Sequence, residues 1–112
     1  MIVRAFLSCL QTRGKRAPHT LIKVFKECQK EVLSFTVFLE LEEVKKGEQY
    51  FVKLLGPHGQ HVDATDQFLA TKDDRFVHLI LDLINLRGAV GPHELVLFHD
   101  SIPVATRTIS IK

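Results

Sequence analysis

Between Leu33 and Glu42 the chain alternates with a period of two. Leu33, Phe35, Val37, Leu39 and Leu41 fall on one side of an extended backbone, and Ser34, Thr36, Phe38, Glu40 and Glu42 on the other. Successive side chains of a strand point to opposite faces, so this pattern predicts a half-buried strand. Ile2–Leu10 reads the same way, with Val3, Ala5, Leu7 and Cys9 set against Arg4 and Ser8. Tyr50–Leu55 is a short apolar strand and Gln60–Ala70 a weaker one. In Phe76–Leu86, Val77, Leu79, Leu81 and Leu83 share a face. Leu95 and Leu97 then oppose Val96 and Phe98, and a last strand ends in Ile109 and Ile111. Turn signals separate these runs: Gly14 and Pro18 within Gln11–His19, then Lys45-Lys46-Gly47-Glu48, Lys72-Asp73-Asp74-Arg75, Gly88–Pro92 and Asp100-Ser101. In Gly56-Pro57-His58-Gly59, Pro second and Gly fourth suit a type I turn, because Pro presets φ. Seven or eight short strands with turns every 10–15 residues predict a sandwich or barrel.

Thr20–Val32 carries two patterns. Leu21, Val24, Phe25, Cys28 and Val32 recur at helical spacing behind a capping Thr20, and periodicity alone favours a helix. Leu21-Ile22-Lys23-Val24-Phe25 is also a β-prone run.

Taken together, these segments resemble a bacterial family of small stand-alone β-sandwich proteins of unknown function. The resemblance rests on the opening strand Ile2–Leu10, Thr20–Phe25, Phe35–Leu41, and Glu42-Glu43 before Gly47. It continues through Gly56-Pro57-His58-Gly59 to Gly91-Pro92-His93-Glu94-Leu95, with Asp100 in the turn and Ile109/Ile111 at the end. An aromatic commonly fills the place of His93, and Asp-Gly is more usual than Asp100-Ser101. The resemblance implies a strand at Thr20–Phe25 and brings no catalytic residue. The expected fold is therefore an all-β, antiparallel immunoglobulin-like β-sandwich of seven or eight strands, as one domain over 1–112. The alternative is an α+β fold with a helix at 20–32 packed on an antiparallel sheet.

Composition changes this picture little. The 112 residues are 46% hydrophobic and 25% charged, ordinary for a globular chain able to build its own core. Eight Phe, one Tyr and no Trp favour buried packing over stacked recognition. The net charge of +2 implies no polyanionic partner, although residues 1–32 hold seven Lys/Arg against two acids. Arg13, Lys15 and Arg16 are the candidate nucleic-acid contacts in that basic end; no aromatic interleaves them, and a solvated loop is the reading preferred. Arg4 interrupts the N-terminal apolar stretch and no apolar run reaches the roughly 18 residues of a membrane span, so a cytoplasmic protein away from membranes is expected. Cys9 and Cys28 lack metal spacing and are expected as reduced, packed thiols, with Cys9 facing inward.

Three candidate chemistries remain. His58, His61 and Asp63, with Asp66 beyond them, could converge on a metal from one turn. They equally suit a solvated hairpin, and no cofactor is expected. Serines lack nucleophile-elbow glycines and no phosphate-cradling loop exists, so a non-enzymatic protein is expected. The apolar residues left on the outward rows carry more weight: Phe38, Phe76, Ile80, Val96 and Phe98. Gathered on one sheet, they would expose on the order of 500 Å², near the largest patch monomers tolerate. Self-association as a homodimer through that face, or a protein partner, is the expected function.

Overall fold

The computed structural model describes residues 1–13, 20–29, 34–86 and 90–112, and of 10–13, 20–23 and 82–83 the backbone alone. Ten strands follow one another along them: β1 (Ile2–Arg13), β2 (Thr20–Val24), β3 (Glu27–Cys28), β4 (Ser34–Val44), β5 (Gln49–Leu55), β6 (His61–Ala64), β7 (Phe68–Leu69), β8 (Asp74–Asn85), β9 (Gly91–His99) and β10 (Ile102–Ile111). They form two sheets, ordered β2-β1-β4-β8 and β3-β10-β9-β5-β6, with β7 also paired to β5. Neighbours are antiparallel except β3, which runs parallel to the end of β10. The shortest dimension, 19 Å, is that of two sheets about 10 Å apart with their outward side chains. The fold is an all-β sandwich. Strands shorter than six residues (β2, β3, β6 and β7) account for the excess over the seven or eight read from the sequence.

Thr20–Val24 is a strand, and no helix forms among the described residues. Its backbone finds partners in the end of β1, where Cys9 faces Val24 and Gln11 faces Ile22. The helical spacing is divided by this strand: Val24 is 49% exposed, whereas Phe25 turns inward and meets Phe35 edge-on at 5.4 Å. Beyond it the chain crosses to the second sheet, so Cys28 lies opposite Ile111.

The inner faces supply the core. Phe35, Val37, Leu39 and Leu41 of β4 meet Tyr50, Val52 and Leu54 of β5 and Leu95 and Leu97 of β9, each at most 1% exposed. Two bulges shift the expected rows. Between Val3 and Ala5 the register of β1 slips, which turns Ala5, Leu7 and Cys9 outward and brings Phe6 (2% exposed) and Ser8 inward. Between Phe35 and Val37 the register of β8 slips likewise, so fully buried Ile84 takes the inward place that strict alternation gives Leu83. One extra residue per bulge is enough to exchange faces.

The turns follow their residues. Gly59 N–H donates to the Gly56 carbonyl at 2.9 Å, closing the four-residue turn around Pro57. Asp100 and Ser101 adopt φ of 49° and 68° between paired His99 and Ile102, the two positive angles of a tight I′ hairpin.

Candidate functional site

The five outward apolar residues do not form one face. Phe38 and Ile80 are directly paired on β4 and β8, and Phe76 lies further along β8 opposite Glu42, all on the outside of the four-stranded sheet. Val96 and Phe98 lie on β9, on the outside of the other sheet. There they are covered by their own neighbours. Phe98 stacks on Phe51 with centroids 4.9 Å apart, Lys53 Nζ sits 5.2 Å from the Phe98 ring, and Val96 beneath is 5% exposed. Phe38 is 8% exposed, whereas Phe76 is 51% exposed. The single patch expected from alternation is thus replaced by a smaller set along β8, because β9 pairs with β5 and β10 and never with β4 or β8.

What distinguishes β8 is its place at the sheet edge. It pairs with β4 on one side and, among the described residues, no strand of its sheet lies on the other. Free strand edges are templates for pairing unless they are short, charged, proline-bearing or covered. Among the described residues Ile2–Leu7 of β1 likewise pairs only with β4, but it carries Arg4, and the remaining edges are short or blocked. β2 and β6 are five and four residues long. The edge of β10 carries Pro103 and places Arg107, opposite inward-facing Leu95, at the margin of the core over the Phe6 ring. β8 has twelve residues, and from Phe76 to Leu81 its only ionisable side chain is His78, 3.6 Å from Glu40.

Asp63, read from the sequence as a metal ligand, has a different task. Its Oδ2 accepts the Asn85 backbone N–H at 2.8 Å, stitching β6 to the end of β8. His58 is exposed within the 56–59 turn and His61 just after it, and His58, His61 and Asp63 do not converge. His93 is 1% exposed in the core, its Nδ1 donating to the Gly91 carbonyl at 3.0 Å. The backbone of Arg13 pairs with Thr20 at the end of β1. Lys15 and Arg16 lie outside the described residues.

Cys9 and Cys28 are buried and free, on different sheets. Cys9 faces Thr36 on the outer side of its sheet and not the core, yet is fully shielded. Burial pushes both thiols above their ordinary pKa.

At the opposite end of β5 from the 56–59 turn, three titratable residues meet that no local pattern marks. His99 Nε2 donates to Glu48 Oε2 and lies 3.5 Å from Asp100 Oδ2, although 51 residues separate Glu48 from His99. Both carboxylates are held from behind by backbone. Glu48 Oε1 accepts the Lys45 N–H, and Asp100 Oδ1 accepts the Gln49 N–H at 2.8 Å. Burial pushes the Glu48 carboxyl up, but the Lys45 N–H and His99 outweigh it and hold the group below its ordinary value. Tyr50, two residues on, stacks flat on His99 with centroids 5.0 Å apart. Its hydroxyl is buried beside the Glu48 carboxylate in poor hydrogen-bond geometry, and burial, then that carboxylate, raise its pKa far above the usual phenol range. Only the register of β5 against β9, which sets Tyr50 opposite His99, assembles this corner.

The fold is similar over its whole length to the crystal structure of an immunoglobulin-like protein from Pseudomonas aeruginosa. The TM-score is 0.53 with 12% sequence identity, covering 100% of this chain and 98% of that one. At that identity the likeness is one of fold. No family model matches the sequence, and neither does any curated protein. No helix among the described residues is long and apolar enough to cross a membrane.

Proposed function

We propose that this protein is a non-enzymatic interaction module that self-associates by pairing the β8 edges of two copies. The observation that carries this reading is a twelve-residue edge strand with exposed Phe76 and, between Arg75 and Asp82, no ionisable side chain but His78. Magnitudes favour edge pairing over flat packing of faces. The area still exposed on Phe76 and Ile80 is on the order of 150 Å² per copy, so covering both copies gives about 7 kcal/mol gross. Association itself costs about 4–15 kcal/mol, and the apolar term alone does not carry a dimer. A backbone ladder along β8 adds about 0.5–1.5 kcal/mol per hydrogen bond. A second copy of the same edge, run antiparallel about a two-fold axis, satisfies each unpaired donor with an equivalent acceptor.

Light scattering coupled to gel filtration tests this. The expected result is a dimer at high-micromolar concentration that Phe76→Lys converts to monomer, while Val104→Lys on β10 leaves it intact. A monomeric wild type at that concentration, or a dimer indifferent to Phe76→Lys, overturns the reading.

A further inference from the structure

On the side of the sandwich away from β8, the chain between β2 and β3 crosses from one sheet to the other. The crossing is tied to both. Phe25 N–H donates to the Ser8 carbonyl at 3.0 Å, and Ser8 Oγ donates to the Phe25 carbonyl at 2.6 Å. The Lys26 carbonyl accepts the Ser110 N–H at 2.9 Å. Beside this crossing a cleft of about 300 Å³ opens between β1 and β10, walled by Phe6, Leu7, Val24, Phe25 and Ile109. Phe6 and Ile109 are buried, so the floor of the cleft belongs to the core. The Ser8 hydroxyl is turned to Phe25, which leaves the wall apolar. Hydrogen bonds from both sheets fix the boundary, and the cleft stands formed before a ligand enters, as ligand sites usually do.

The charge at its mouth is of one sign. Arg107 holds its guanidinium 5.5 Å from the Phe6 ring, with Nη1 donating to the Thr106 carbonyl at 2.7 Å. Lys26 borders the same opening, and no residue lining the cleft is acidic. Among the described residues neither cation has an ion-pair partner, and Glu27, next along the chain, is 2.9 Å from Lys112. A guanidinium presents five donors in a rigid fork that matches a carboxylate. Here that fork is anchored by one donor at the rim of an apolar space, with the others unmatched.

We propose that the cleft binds a small apolar carboxylate, its hydrocarbon among Phe6, Val24, Phe25 and Ile109 and its anionic end held by Arg107 beside Lys26. At about 30 Å³ for each water-sized group, there is room for about ten heavy atoms, the size of an eight-carbon fatty acid. A polyanion fits less well, because its hydrated oxygens would meet apolar walls. The site shares no residue with the β8 edge, so it stands whether or not two copies pair there.

The test is titration of the ¹⁵N-labelled full chain with sodium octanoate at neutral pH, followed by amide chemical shifts. Saturating shifts centred on Val24–Lys26 and Arg107–Ile109 are expected, with a Kd of about 0.1–1 mM for a ligand of this size. Arg107→Gln should weaken octanoate by about five- to tenfold, while Lys72→Gln, the same charge change on a distant turn, should leave it unchanged. Wild type should bind n-octanol more weakly than octanoate by a similar factor, a comparison that needs no variant, and Arg107→Gln should not alter octanol binding. Absence of saturation by 10 mM, equal affinity for octanol and octanoate, indifference to Arg107→Gln, equal weakening by Lys72→Gln, or shifts centred on β8 overturns the proposal.

Discussion

Replacing Tyr50 with Phe removes one oxygen from the middle of the polar corner, and the structure gives the sign of the result. The phenyl ring keeps its stacking on His99 and its contact with Phe68, whose centroids lie 5.0 and 6.4 Å away. What disappears is a buried hydroxyl that lost its hydration and met only the Glu48 carboxylate, in poor hydrogen-bond geometry. Such a group costs roughly 1–3 kcal/mol in protein substitutions. We take the lower end, because the neighbouring carboxylate of Glu48 recovers part of that cost electrostatically. Tyr50→Phe is therefore expected to raise stability by about 1 kcal/mol. An unfolding entropy of about 2.1 cal/mol/K per residue turns this into a Tm higher by about 4 °C for a chain of this length. Circular dichroism of urea and thermal unfolding, in chelator at neutral pH, reads both, with the urea slope unchanged. A loss of stability of similar size would show that the hydroxyl holds a real hydrogen bond and would refute the reasoning.

Two further expectations follow from the backbone and the thiols. Ser101 holds φ of 68° in the β9–β10 turn, a conformation costing about 1–2 kcal/mol for an L-residue, so Ser101→Gly should stabilise by about 0.5–1 kcal/mol after glycine's own entropy cost; an unchanged or lower urea midpoint would contradict this. Because burial raises the Cys9 and Cys28 pKa values above 9.0, the folded state favours neutral thiols. Their contribution to stability is present below that pH and lost as pH rises past it, where the unfolded chain ionises first. The urea midpoint should fall above pH 9 less steeply in Cys9→Ala/Cys28→Ala, and native thiols should react slowly with a disulfide reagent at pH 8; fast stoichiometric labelling of the folded chain would be incompatible with their burial.

Two-residue periodicity marked the long strands of this molecule, since amphipathic strands must bury one row against another layer. The core residues of β4, β5 and β9 are those the alternation in Phe35–Leu41, Tyr50–Leu55 and Leu95–Leu97 marks. The Gly56–Gly59 turn and the Asp100-Ser101 hairpin were also legible, because turn geometry depends on local residues. Thr20–Val24 was not legible from its own pattern. An apolar run of that length suits either period, and the ladder with β1 decided it.

The functional surfaces depended on register, which no local pattern contains. A bulge after Val3 reversed Cys9, and another opposite Phe35 put Ile84 in the core. Strand order sent Val96 and Phe98 to a different sheet from Phe38 and Ile80, dividing the expected patch and leaving β8 as a long open edge. Glu48 and His99 met because Tyr50 pairs with His99 across β5 and β9. Outside the bulges, alternation marks which row turns to the core, because facing is a property of each strand. Which residues become neighbours is a property of pairing between distant strands, and only the folded chain fixes it.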